Sequence, residues 1–205
     1  NNWRSGLYVK ANGVEFKMIP VAGYSGGFFL MAETETTEAL YNSVNGTVST
    51  SQFPIDAISY SDIKTFIEKI NNNTQLNFSL PSTEQWQYAA MGGNKSQSYI
   101  YAGSNIPGDV AWYSSNCSSK QKVKTKTPNE LGIYDLSGNV EEFVTNRYSY
   151  SSYSFPCFCG GSYLSTSNSI TNTSKSNMYD KHGYTSNADY IKDNGIGFRL
   201  ILTCK

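Results

Sequence analysis

Apolar residues alternate at Val14, Phe16 and Met18. After a glycine-bounded turn over residues 23–27, the chain resumes with Phe28-Phe29-Leu30. A period of two is the signature of a half-buried strand, so residues 14–31 are expected to form paired strands. From Thr34 to Val44 the period lengthens. Ala39, Leu40 and Val44 fall on one side, Thr36 stands at an N-cap position, and Asn45-Gly46 stops the pattern. Phe53–Ile58 reads as extended around Pro54. The clearest helix spans Ser61–Ile70, where Ile63, Phe66, Ile67 and Ile70 recur at three- and four-residue steps. Pro81-Ser82-Thr83-Glu84-Gln85 then opens another, with Ser82 as N-cap and Gln85 in capping-box register. Trp86, Ala89 and Ala90 form its inner face and Gly92-Gly93 ends it.

Beyond Ala102 the periodicity fades into loops, with short extended pieces such as Val110–Tyr113 and a last strand over Gly197–Thr203. Tyr148–Ser154 (YSYSSYS) is a short low-complexity stretch. From Ser162 to Asn194, 23 of 33 residues are Ser, Thr, Asn, Tyr or Asp, a composition that on its own would read as disordered. The tract is bracketed by Gly160-Gly161-Ser162 and Gly195-Ile196-Gly197-Phe198-Arg199, so it is expected to be held as displayed loops, with Leu164, Ile170, Met178 and Ile191 as internal anchors. Few regular elements and many loops point to an α+β domain whose irregular half carries the function.

Charge narrows the functional classes. Lys+Arg and Asp+Glu both number 16, and there is no basic stripe, which argues against a nucleic-acid partner. No apolar run approaches the ~18 residues of a membrane span, so membrane insertion is not expected. Asn1, in place of an initiating Met, is expected to mark a processing boundary. With charged residues at only 16%, the surface falls to Ser, Thr, Asn and Tyr, the palette of secreted, adhesive and paratope surfaces. The four cysteines are Cys117, Cys157, Cys159 and Cys204; with one histidine, His182, and a CxC spacing, disulfides or buried thiols are favoured over a zinc site. If Phe158 lies in a strand, Cys157 and Cys159 share a face and do not bond each other, which leaves Cys204 or Cys117 as the partner. His182 has no partner at a fixed spacing that would suggest a triad.

Several phrases together carry a resemblance: Phe16–Val21, Thr34–Tyr41, Pro54-Ile55 with Ile58–Ile63, Leu80-Pro81-Ser82-Thr83-Glu84-Gln85-Trp86 through Gly93, and Thr127–Val140 with the Gly-Gly-Ser and Gly-Phe-Arg markers. They resemble the formylglycine-generating enzyme family across nearly the whole chain. The resemblance implies a single domain over residues 1–205 with a C-type lectin-like fold, in which two helices pack on antiparallel strands with extensive irregular loops. The family's reaction uses two cysteines five residues apart after Gly-Gly-Ser. Here those positions fall on Ser165 and Ile170, so no catalytic residue and no copper are expected, since thiolate chemistry and copper affinity both need sulfur.

Members of the family also bind calcium through a loop, and the matching positions are the side chains of Asp135 and Glu142 and the carbonyls of Gly138 and Val140. Glu141 stands where the family has Trp. The resemblance further implies that the 163–194 segment, Ser165–Asn177 above all, is similar to the variable region of ligand-binding proteins diversified by retroelements, whose adenine-directed mutagenesis never yields Lys or Met. By that pattern Lys175, Met178, Lys181 and Lys192 are fixed positions. The candidate ligand-binding residues are Tyr163, Ser165, Ser167, Asn168, Ser169, Asn172, Tyr179, Asp180, His182, Tyr184, Asn187, Asp189, Tyr190 and Asn194. The expected role is receptor recognition outside the cell, on a bacterial surface or a phage virion, with a protein or glycan receptor and the oligomeric state left open. Two other readings stand beside it: a diverged enzyme using Cys157 and Cys159, or a catalytically silent structural paralogue.

Overall fold

An Asn-Gly pair starts the architecture. Asn12 and Gly13 both take positive φ (45° and 88°), the twist that a two-residue hairpin needs, and they join Leu7–Ala11 (β1) to Val14–Ala22 (β2). In the computed structural model, which describes residues 5–203, β2 pairs on with Phe28–Ala32 (β3). Ile201–Leu202 (β9) inserts between β3 and Phe78–Ser79 (β4), completing a five-stranded antiparallel sheet in the order β1-β2-β3-β9-β4. The expected strand over 197–203 is therefore broken. Ile196–Gly197 (β8) joins a second sheet, and Phe198, Arg199 and Leu200 cross the core between the two.

That second sheet runs β7-β6-β5-β8, with Glu141–Tyr150 (β5), Tyr153–Cys159 (β6) and Lys175–Asn177 (β7). The β5–β6 hairpin carries a bulge between Val144 and Arg147 and turns at Ser151, so the YSYSSYS stretch is a hairpin tip.

Helix starts follow local chemistry. Glu38–Val44 (α1) is capped by Thr37, one residue later than expected, because Thr36 is buried and its N–H bonds to Phe198 O at 2.9 Å. Tyr60–Thr74 (α2) begins with a Ser59/Asp62 capping box, and Thr83–Ala90 (α3) begins with the expected Ser82/Gln85 box. Such caps each contribute about 1 kcal/mol. Pro107–Val110 (α4) and Met178–His182 (α5) are short helices in stretches expected to be loop.

The apolar stripes of the helices enter two main buried clusters. Ile63, Phe66 and Ile70 of α2 pack with Phe78, Phe143, Phe155, Phe158 and Phe198, where Phe66 stacks on Tyr41 and meets Phe198 edge-on. Each such buried side chain is worth roughly 1.5–3 kcal/mol. Trp86, Ala89 and Ala90 of α3 share a second cluster with Met31 and Ile201 of the first sheet and Val144 of the second.

Candidate functional site

The second sheet delivers the polar tract to one edge of the molecule. Met178, fully buried, pins α5, and Ile170, also fully buried, pins the preceding loop against Tyr101, Val110 and Ala111. Ile191 packs partly against the core, but Leu164, expected as an anchor, is 62% exposed.

The hairpin tip and the tract form one surface. Tyr179 lies under Tyr150 and Tyr148 at ring separations of 4.8 and 5.7 Å and meets Phe155 at 5.3 Å. Tyr153 meets Tyr184 edge-on at 4.6 Å, and a hydrogen bond between the two raises the Tyr184 phenol. Arg147 ties the hairpin to the tract. Its Nε donates to Ser154 Oγ at 2.8 Å, and its Nη2 pairs with Asp189 Oδ1 at 2.7 Å. Tyr148, Tyr150, Tyr184 and Tyr190 remain 38–68% exposed. Composition points to the tract but not to the hairpin tyrosines, whose one sequence signal is the two-residue spacing of Tyr148 and Tyr150.

The structure sorts the expected contact residues. Asn168, Ser169, Asp180, His182, Tyr184, Asn187, Tyr190 and Asn194 are exposed, whereas Tyr163, Ser165 and Ser167 are half-buried. His182 Nε2 lies 2.5 Å from Asp193 Oδ2, and Asp180 sits beside Asn177 at the start of α5. One expectation is corrected, and one residue takes a second role. Asn172 is buried, and its amide donates to Tyr99 O at 2.8 Å, so it serves to hold the loop. Tyr179 is packed among aromatic rings and supports the face from below.

Ser165 and Ile170, at the positions matching the family's reactive pair, do converge. A Cβ on Gly161 would lie 3.1 Å from Ser165 Oγ and 2.8 Å from Ile170 Cγ2. The positions are brought together, but neither side chain carries sulfur. Cys157 is half-buried and Cys159 fully buried on β6, and burial raises both thiols, which disfavours the nucleophilic thiolate. These two and Cys117 are free thiols, while Cys204 lies outside the described residues.

The loop mapped for calcium is organised around a side-chain cation. Glu142 accepts from Arg199 Nη2 at 2.6 Å and Nε at 2.7 Å, and from Trp86 Nε1 at 2.6 Å. The Asp135 carboxylate accepts from Lys124 N at 2.9 Å, and burial pushes it up to about 6. Calcium needs several free hard oxygens at about 2.3–2.6 Å. Both Glu142 oxygens are engaged by donors beside a guanidinium, so Asp135, Gly138, Val140 and Glu142 do not fit the ion as mapped. Glu35 completes the cluster by accepting from Val140 N at 2.9 Å and Asn139 Nδ2 at 2.7 Å. Burial, with Asp135 and Glu142 nearby, holds its carboxyl well above the usual range.

Comparisons with known proteins agree with this architecture. The model of the sulfatase-modifying factor enzyme 1-like domain matches residues 7–204. The chaperone protein LppX of Paenibacillus barcinonensis is 40% identical over 91 residues, which cover 36% of this chain and 32% of LppX. The inactive C-alpha-formylglycine-generating enzyme 2 of Bos taurus is 24% identical over 159 residues, covering 72% of this chain and 50% of the relative. The chain thus spans from a third to a half of these curated relatives. Among solved structures, Treponema denticola variable protein 1 superposes with a TM-score of 0.79 at 20% identity, covering 96% of this chain and 98% of that one. The Major Tropism Determinant U1 variant superposes at 0.50 and 10% identity, covering 95% and 52%. These likenesses establish a C-type lectin-like, formylglycine-generating-enzyme-type fold.

Proposed function

The chain belongs to the sulfatase-modifying factor enzyme 1-like family, and within it we propose a non-catalytic, ligand-binding role. The hairpin tip and residues 163–194 together form a receptor-recognition face. The observation that carries this reading is the joint tyrosine surface, in which exposed Tyr148 and Tyr150 pack on Tyr179, itself against Phe155, exposed Tyr184 packs on Tyr153, and Tyr190 stands open to solvent. Rigid aromatic area with a hydroxyl, flanked by Ser, Thr and Asn, suits recognition at low entropic cost. A non-catalytic role is supported by the absence of sulfur at residues 165 and 170 and by a relative named as inactive.

The receptor would be a protein or glycan on a cell surface, met from a bacterial surface or a phage particle. Among the described residues no helix is long and apolar enough to cross a membrane. Retroelement diversification of the tract is part of the proposal; it requires four fixed positions, of which three have a structural role while Lys175 is exposed and forms no ion pair among the described residues. Of those the mutagenesis cannot produce, Met178 is in the core, Lys181 pairs with Glu141 at 2.8 Å, and Lys192 pairs with Asp62 at 2.8 Å. An adenine-rich near-copy of the 163–194 coding stretch beside a reverse transcriptase gene would support that history, and its absence from the source genome would remove it.

The test of the role is binding of the purified chain to glycan arrays and cell surfaces, alongside a Tyr184→Ala/Tyr190→Ala variant. Binding lost in the variant, with the circular dichroism spectrum unchanged, supports the face. Binding that survives both substitutions overturns it, and no binding to any surface favours a structural paralogue.

A further inference from the structure

A cleft of about 320 Å³ opens beside the tyrosine face, between the 165–169 turn and the Lys175–Lys181 segment. At its base lies Glu141, the residue in place of the family's Trp. Only 6% exposed, it accepts from Ser176 Oγ and pairs with Lys181 Nζ. Lys175 also lines the cleft, is exposed, and forms no ion pair among the described residues. Ser165 and Asn168 add a hydroxyl and an amide from the opposite wall.

The volume is at the small end of the range for small-molecule sites, about 300–1,000 Å³, so it accommodates a compact group. Every side chain lining it is polar, which disfavours an apolar ligand and suits one that carries its own hydroxyls. Two ammonium groups against one carboxylate leave a single positive charge. Lys181 is already committed to Glu141, so Lys175, whose charge also reaches Glu84 on α3 without forming an ion pair among the described residues, is the cation placed to meet a ligand. A monoanion matches it, whereas a phosphate dianion would face the buried Glu141 carboxylate at short range.

Resting on the recognition role proposed above, we infer that this cleft is a subsite for one carboxylated sugar, the acidic residue of a surface glycan. Lys175 takes the carboxylate, and Ser165, Asn168 and Ser176 take the ring hydroxyls. Glu141 is a positioning residue that holds Lys181 and Ser176 in place. The subsite would give an otherwise adaptable face a fixed preference for acidic glycans.

The experiment is titration of the whole chain, by calorimetry or NMR, with glucuronic acid and N-acetylneuraminic acid. Glucose and inorganic phosphate serve as controls, and the same series is run on Lys175→Met and on Tyr184→Ala/Tyr190→Ala. The two acids separate a uronic from a sialic source. The expected result is millimolar or tighter binding of at least one acid, weakened tenfold or more in Lys175→Met, with glucose at least tenfold weaker and phosphate failing to compete. The tyrosine variant should bind the acid as the parent does. Lys175 is exposed, so its variant should keep the parent Tm. Binding of neither acid, equal binding of glucose, competition by phosphate or indifference to Lys175→Met would overturn the subsite. If the subsite fails while tyrosine-dependent surface binding persists, the recognition role stands without it; if both fail, both are withdrawn.

Discussion

Arg199 and Glu142 meet as a two-pronged pair inside the protein, with side chains 0% and 1% exposed. The guanidinium also donates to Ala32 O and Tyr134 O, and so links β3, the 127–140 loop and the chain's return through the core. Removing one partner strands a buried charge, which costs about 3–5 kcal/mol, whereas replacing both with apolar residues often costs little. Arg199→Met should therefore lower the urea midpoint sharply, and adding Glu142→Met should recover most of the loss. A double variant no better than the single would mean that the backbone contacts of Arg199, not the pair, dominate.

The same pair sets an expectation for metal. An ion bound only by the native state raises stability by about 4 kcal/mol at a thousandfold excess over Kd. With both Glu142 oxygens taken by donors, adding calcium or a chelator should leave the Tm unchanged. A calcium-dependent rise that disappears in Asp135→Asn would restore the mapped site.

Lys120 clamps the α1 start to the loop before α2, reaching Glu38 and Asp56 at 2.7 Å each and Pro54 O at 3.0 Å. Burial works to raise the Glu38 carboxyl, but hydrogen bonds from Lys120 and Ser51 and the lysine's charge outweigh it, so the group is lowered from its ordinary 4.5. A depressed carboxyl contributes stability above its unfolded value and loses it as pH falls through the folded one. Lys120→Met should cost about 1 kcal/mol at pH 7, in the range for a partly exposed pair. It should also flatten the fall in Tm between pH 6 and pH 3. An unchanged pH profile would show that the clamp carries no linkage.

Tyr179 and Tyr190 separate support from contact. Tyr190 is 68% exposed, so Tyr190→Ala should leave the Tm within about 1 °C, as expected of a surface change, while weakening receptor binding. Tyr179→Ala removes a ring packed on three others and should cost roughly 2–4 kcal/mol. Its binding loss should be partly recovered by Tyr179→Phe. Equal Tm values for the two alanine variants would contradict this division.

Legibility followed the range of the forces involved. Ser82 with Gln85, and the Ile63–Phe66–Ile70 stripe, act within a turn or two and were read directly from the residues. The Asn12-Gly13 hairpin was equally local, yet β1 was passed over because the alternation that follows is clearer than the one before. Tyr148–Ser154 reads as low complexity, since tyrosine and serine both read as surface, and only the pairing of β5 with β6 shows it to be a hairpin tip. Asn172 and Arg199 were out of reach. A polar side chain is placed outside by default, and their partners, Tyr99 O and Glu142, lie 73 and 57 residues away.

Ser165 and Ile170 allow a direct test of how far the scaffold has kept the family's geometry. Both close on the space above Gly161, which holds φ at 65° and has no room for a Cβ between them. Replacing both with cysteine puts two thiols where the family has its own pair. Ile170→Cys in its buried cluster should cost about 1–2 kcal/mol, a loss the fold is expected to tolerate. A disulfide needs Cα atoms within about 4.4–6.8 Å and Cβ vectors that face each other. Mild oxidation of Ser165→Cys/Ile170→Cys should therefore form an intramolecular bond, read as the loss of two hydrogens by mass spectrometry and as protection from alkylation; neither single variant should do so. Bond formation would mean that only the sulfur was lost from this position. Two thiols that stay free under oxidant would mean instead that the 162–170 turn has moved away from the family's arrangement, and that restoring cysteines alone would not restore the site.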